Sequence, residues 1–262
     1  MRAAAIAVVT CATALAHAQP TGKVTGKITV TEADGKPATG AAVVVYIVGP
    51  KEPADATAVA KVAQKGRSFQ PELVAVTAGG KVEFPNGDPF LHNVFSQSST
   101  RKFDLGSFKK GESKTKEFEK PGVIDVYCNI HPEMAATILV LPNKLHTRTT
   151  AGGTFTLDNV PAGTWKVFAY TRRTTKPVSA SVTVTAGAAT TADLALQRGL
   201  EPEHLNKYGE KYRSGSPTTY RQTTERCAAV LGSARVGDLL RTEGGAIGMS
   251  ATAPRMSMTS GW

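Results

Sequence analysis

The feature that most constrains this chain is the punctuation of its apolar segments. Stretches rich in Val, Thr, Ile and Phe run from Ala58 to Ala63, Leu73 to Thr77, Lys81 to Phe84, Asn93 to Ser96, Ser113 to Phe118, Val123 to Cys128 and Thr137 to Leu141, and Gly or Pro stands in almost every gap. Branched and aromatic residues suit a half-buried pleated surface, and Gly and Pro end it. Short strands at this spacing predict an antiparallel Greek-key sandwich. Upstream, Val24, Gly26, Ile28 and Val30 alternate with Thr25, Lys27 and Thr29, the period of a strand with one face covered. Asp34-Gly35-Lys36-Pro37 supplies a turn, and Ala41 to Val48 is almost wholly apolar, as in a strand covered on both faces. Downstream, Thr154 to Leu157, Thr164 to Tyr170, Val178 to Thr185 and Thr190 to Leu196 read as four more strands. The expected class is all-β with little helix.

Chemistry is concentrated in one gap. Tyr127-Cys128-Asn129-Ile130-His131-Pro132-Glu133-Met134 holds a thiol, an imidazole and a thioether, all soft or borderline metal ligands. Copper that alternates between Cu(I) and Cu(II) favours one thiolate, two imidazoles and a weak axial thioether. His92, in Asp88-Pro89-Phe90-Leu91-His92-Asn93-Val94-Phe95, can supply the second imidazole. The predicted ligands of a single copper ion are therefore His92, Cys128, His131 and Met134. Two other readings compete. A disulfide between Cys128 and Cys227 is formally possible in an oxidising compartment, but leaves His131 and Met134 without a reason for their spacing. Structural zinc accepts Cys and His but takes a thioether poorly. Covalent haem is not encoded, because no Cys-x-x-Cys-His is present.

The run Gly80-Lys81-Val82-Glu83-Phe84-Pro85-Asn86-Gly87-Asp88, then His92-Asn93-Val94, then Pro121-Gly122-Val123 through Tyr127-Cys128 to His131 and Met134, resembles the cupredoxin family of blue-copper proteins, plastocyanin-like and amicyanin-like members above all. The resemblance covers about residues 57 to 142, and the compact ligand loop is most similar to that of amicyanins. It implies a rigid Greek-key copper sandwich with Cys128 as the thiolate that dominates the metal's electronics, His92 and His131 as equatorial ligands, and Met134 as the axial ligand that tunes the potential. It also implies that Asn93 ties the two ligand loops together. His131 would break through an apolar surface near Pro89, Phe90 and Pro132, with His92 buried. The function implied is one-electron transfer between redox partners, with no catalysis. A copper-binding or copper-handling protein of the periplasm, without redox cycling, is the alternative; exposed Met and His clusters would mark it, whereas this sequence shows one closed set centred on Cys.

A second resemblance lies beyond Pro142. Gly152-Gly153-Thr154-Phe155-Thr156-Leu157-Asp158-Asn159-Val160-Pro161-Ala162-Gly163-Thr164-Trp165 is similar to the carboxypeptidase regulatory-like (transthyretin-like) sandwich. That family opens with a strand, an Asp-Gly-x-Pro turn and a second strand, and those pieces stand here at residues 22 to 48. The expected organisation is thus a copper domain over 51–145 inserted between an N-terminal hairpin, 19–50, and the remainder of an accessory sandwich, 146–198. Contacts between Val43 to Ile47 and the strands around Trp165 or Val182 are its signature; the alternative keeps the hairpin on the copper sandwich. As an adhesion or carbohydrate-binding module the accessory unit lacks an evident aromatic platform.

The chain opens with Arg2, a short apolar run and Ala16-His17-Ala18, which reads as a secretory signal over residues 1–18 cleaved before Gln19, and so predicts a periplasmic protein without stable membrane insertion. Residues 199–262 are polar and read as a largely disordered tail, with at most a short helix over Glu225 to Leu231. The formal charge is +10, yet no nucleic-acid motif accompanies it. An acidic redox partner, such as a c-type cytochrome or a dehydrogenase, is expected for a monomeric carrier. Arg101, Lys102, Lys109, Lys110, Lys114 and Lys116 are the candidates to steer it.

Overall fold

The computed structural model describes residues 19–50, 56–174 and 178–212. The predicted signal peptide, Cys11, Cys227 and the helix expected at 225–231 lie outside them. The described residues are all-β: eighteen strands and no helix. Accordingly, no helix among them is long and apolar enough to cross a membrane. In chain order the strands are β1 (Thr21–Thr31) and β2 (Val43–Val48), then β3 (Val59–Lys61), β4 (Ala63–Gln64), β5 (Phe69–Gln70), β6 (Leu73–Thr77), β7 (Gly80–Pro85), β8 (His92–Ser96), β9 (Phe103–Phe108), β10 (Ser113–Phe118), β11 (Gly122–Tyr127) and β12 (Ala135–Leu141). The last six are β13 (His146–Arg148), β14 (Thr154–Pro161), β15 (Gly163–Thr171), β16 (Val178–Val184), β17 (Ala189–Thr191) and β18 (Leu194–Gln197).

Strands β3 to β12 build one sandwich. A sheet in the order β10-β7-β3 faces a sheet in the order β6-β12-β11-β8-β9, and Val82, Phe84, Val94, Phe108, Phe118, Ile124, Val126 and Ile138 fill the space between. Alternation places these side chains there: in β7 the buried Val82 and Phe84 alternate with exposed Lys81 and half-buried Glu83. Two pairings depart from the antiparallel expectation, because β12 runs parallel to β6 and β3 parallel to β7. Neither pair is joined by a hairpin, so the geometry that forces antiparallel neighbours is absent.

The remaining strands build the second sandwich from both ends of the described chain. Its sheets have the orders β14-β1-β17, with β18 also beside β1, and β13-β2-β15-β16. Val45 lies opposite Ala169 and Ile47 opposite Val167, while Trp165 lies opposite Val182. Val24, Ile28, Val43, Val45, Ile47, Phe155, Leu157 and Val167 form its core. Gly26 is needed in the alternation of β1, since a Cβ there would run into the Ala192 carbonyl.

A third cluster explains the apolar run of β2. Val44, Leu73, Leu139 and Leu141 are buried together, with Ala42, Tyr46, Ala75 and Tyr170 packed against them. In β2, Val43, Val45 and Ile47 face one core and Val44 the other. In β12, Ala136, Ile138 and Val140 face the core of the first sandwich while Leu139 and Leu141 face β2. Both strands are therefore covered on two faces, and the two sandwiches pack sheet against sheet. Fully burying each such aliphatic side chain contributes about 1.5–3 kcal/mol.

Candidate metal centre

The ligand-bearing residues meet at one sheet end because the strands that carry them are neighbours. His92 opens β8, Cys128 follows the last residue of β11, and Tyr127 of β11 pairs with Phe95 of β8. The loop from Cys128 to Met134 joins the antiparallel strands β11 and β12 and folds on itself. The Cys128 N–H donates to the Met134 carbonyl at 3.3 Å, and the Met134 N–H to the His131 carbonyl at 3.0 Å. As a result Cys128 Sγ lies 3.8 Å from His92 Nδ1 and 3.8 Å from His131 Nδ1, and the two Nδ1 atoms are 3.1 Å apart. One donor atom from each residue falls within 4.8 Å of the others. His92, Cys128 and Met134 are fully buried, and His131 is half-buried. The Phe90 ring closes over both imidazoles, with centroids at 5.2 and 5.3 Å.

Whether these residues suit a metal depends on where their lone pairs point. His92 Nε2 lies 2.8 Å from Asp88 Oδ2, and the Asp88 carboxylate also accepts the Gly66 and Arg67 N–H groups at 2.7 and 3.0 Å. Burial pushes the Asp88 pKa up, but the Arg67 N–H, His92 and the Gly66 N–H together hold it below the ordinary carboxylate value. An ionised carboxylate only accepts, so Nε2 carries a proton toward Asp88 and Nδ1 faces Cys128 and His131. Burial keeps His131 neutral by lowering its pKa, with His92 adding to the effect. Burial raises the Cys128 thiol above its ordinary pKa, opposed first by the Asn93 N–H, 3.5 Å from Sγ. A cation among these atoms would supply the counter-charge that a buried thiolate needs. A thiol, two imidazoles turned toward it and a buried methionine on the thiol's own loop fit copper better than zinc. Cys128 is a free thiol, so no disulfide occupies it.

Asn93 links the two ligand pieces. Its Oδ1 accepts the Asn129 N–H at 3.4 Å, and its Nδ2 donates to Asp104 Oδ1 at 2.7 Å. Two contributors escaped sequence reasoning. Asp88 was within the ligand motif, and an acid four residues before a histidine ligand was its available signal. The other is residues 199–212, an irregular strap that crosses onto the first sandwich. The His204 ring stacks on Tyr127 at 3.8 Å, and the Tyr212 hydroxyl donates to the Cys128 carbonyl at 3.2 Å. The polar tail expected from residue 199 thus begins no earlier than 213. Of the basic residues, Lys102, Lys109 and Lys110 are exposed, Arg101 and Lys116 half-buried, and Lys114 is engaged, donating to the Leu105 carbonyl at 2.5 Å.

No protein-family model matches this chain, and no curated protein matches its sequence. Among solved structures, a novel purple cupredoxin from Nitrosopumilus maritimus is 22% identical, over 31% of this chain and 98% of that one, with a TM-score of 0.28. An amicyanin variant in its Cu(I) form is 20% identical over 37% of this chain and 97% of its own, at 0.30. A copper-containing nitrite reductase from Thermus scotoductus SA-01 is 28% identical over 36% of this chain but only 25% of its own, at 0.31. At these scores the likeness is to part of the chain, and His92, Cys128 and His131 stand together on their own geometry.

Proposed function

We propose that this chain is an exported type 1 copper protein that carries single electrons between redox partners and catalyses nothing itself. The observation that carries this reading is the convergence of Cys128 Sγ with the Nδ1 atoms of His92 and His131 inside a buried sheet end, with only His131 reaching toward solvent. Copper would supply a reversible one-electron couple there, held by His92, Cys128, His131 and, as the weak axial ligand, Met134. The protein's own part is to keep that site from rearranging. Asp88 fixes the His92 tautomer, the β8 and β11 strand ends fix spacing, and burial excludes water.

Half-exposed His131 is the proposed port for electrons. Exposed Leu91 and Ile130 stand beside the two ligand histidines in sequence, and an apolar rim sheds water readily when a partner docks. Exposed Lys102 and Lys110 would steer an acidic cytochrome or dehydrogenase, whereas the Lys109 ammonium lies 4.0 Å from Glu112 Oε1. Export rests on the leader expected from the sequence at residues 1–18, and the second sandwich is proposed to be of the carboxypeptidase regulatory-like kind.

The test is the visible spectrum of the copper-loaded protein, with a redox titration. An intense thiolate-to-copper band, lost in Cys128→Ser while the fold persists, and a reversible one-electron transition are expected. A colourless loaded protein, or a full-strength band in Cys128→Ser, overturns the assignment. Colour without reversible reduction favours copper handling.

A further inference from the structure

We propose that Lys207, on the strap, is a positioning residue of the metal centre that closes a hydrogen-bonded ring around the two ligand-bearing loops. The inference rests on the copper reading for which loops matter, but the ring itself is a property of the protein. Its members are four. Asn93 Nδ2 donates to Asp104 Oδ1 at 2.7 Å; Asp104 Oδ2 accepts the Lys207 ammonium at 2.8 Å; the Lys207 backbone N–H donates to Asn129 Oδ1 at 3.0 Å; the Asn129 N–H donates to Asn93 Oδ1 at 3.4 Å. Asn93 adjoins His92, and Asn129 adjoins Cys128. The Asn93 backbone N–H meanwhile points at Cys128 Sγ from 3.5 Å, so the ring orients a donor onto the ligand sulfur.

Without Lys207 the two loops would be joined across Asn93 side-chain atoms only by the longest of these contacts. A single lysine serves two members because the strap peptide is itself held. Gln97 Nε2 donates to the Lys207 carbonyl at 2.8 Å, and the Gly106 N–H fixes Asp104 Oδ1 at 2.8 Å. The root of the strap is fastened to the second sandwich. Arg172 pairs with Glu201, and the Gly199 N–H donates to the Arg173 carbonyl at 2.7 Å. Since the strap follows β18 directly, the second sandwich gains a role: it delivers Lys207 to a centre built on the other sandwich.

The test uses the full chain. In metal-free protein, Lys207→Met should speed amide hydrogen exchange by about two- to fivefold at Asn93 and Asn129, the loss expected for one partly exposed ion pair, and leave amides of β7 and β12 unchanged. Lys207→Arg should restore most of the protection. In copper-loaded protein, Lys207→Met and Asp104→Ala should shift the visible band and the reduction potential in the same direction, since both open the ring although they remove opposite charges. Unchanged exchange at Asn129 in Lys207→Met, or shifts of opposite sign in the two variants, would reduce Lys207 to a through-space charge and overturn the proposal. If exchange responds but the wild type never colours with copper, the ring stands and the copper reading alone fails.

Discussion

The two imidazoles of the centre have ring centroids 4.8 Å apart, yet the chain places them by opposite means. His92 opens a strand whose five residues are all buried, and its outer nitrogen is clamped by a carboxylate that two backbone N–H groups hold in turn. His131 sits in a short loop, half-exposed, with the Phe90 ring against it and a proline following. One imidazole is anchored by polar bonds reaching back to residues 66 and 67. The other is presented at the surface by packing. The electron carrier proposed above would need both: an anchored ligand resists rearrangement when the charge at the site changes, and a presented one lies close to a docking partner.

The sharpest way to break this contrast is to delete each ring. His131→Gly should open a hole to solvent that added imidazole refills, restoring the colour of the copper-loaded protein. His92→Gly leaves its hole beneath Phe90 in the sandwich interior, beside an Asp88 carboxylate stripped of its partner, and should not be restored under the same conditions. Absorbance against imidazole concentration for both variants measures the difference. Equal rescue would mean that the two positions are equally accessible and that the anchoring is not real.

How much of this could be read without coordinates follows the same division. Cys128 and His131 are legible because they lie on one loop and metal chemistry demands those residue types; His92 follows from the need for a second imidazole, and the three donor atoms do meet. The strands were legible where alternation is clean. Strand β9 was not, since Asp104 and Gly106, the latter at φ +68°, interrupt it and its pairing with β8 shifts register between Asn93 and Phe95. The stretch from Thr190 to Leu196 splits into β17 and β18, with Asp193 between them accepting the Lys27 N–H at 2.7 Å. Asp88 and Lys207 escaped because their partners are distant. Asp88 is held from Gly66 and Arg67, and Lys207 reaches Asp104 and Asn129, pairings that polarity along a window of sequence does not express.

A smaller change sharpens the contrast from the anchored side. Asp88→Ala leaves His92 Nε2 and two backbone N–H groups without their acceptor and frees the ring to rotate or change tautomer. Partners of this kind typically contribute about 10–100-fold to metal affinity. Copper binding, measured by competition with a chelator, should weaken by that factor in Asp88→Ala. Substitution of Glu133, an exposed carboxylate on the presented loop, should change it little. Comparable losses in both variants would make Asp88 one more local charge rather than the clamp.

The smallest effect concerns the strap that covers the Cys128 side, and it is read through pH. His204 stacks on Tyr127, meets Tyr212 edge-on at 5.3 Å, and has its Nε2 buried without a hydrogen-bond partner. Burial pushes its pKa down to about 4, with Glu201 working against that shift and Arg172 with it. In the unfolded chain or an undocked strap, histidine titrates near 6.5. As pH falls from about 6.5 toward 4, the undocked form binds a proton that the docked form does not, so docking is fully favoured above that window and weakens progressively through it. The neighbouring rings do not contribute, because burial raises the pKa of both Tyr127 and Tyr212 and keeps them neutral there. Amide protection at Asn129 in metal-free protein should therefore fall between pH 7 and 4.5, and His204→Phe, which keeps the stacked surface and loses the proton site, should flatten the profile. An unchanged slope in His204→Phe would remove His204 as the source of the response.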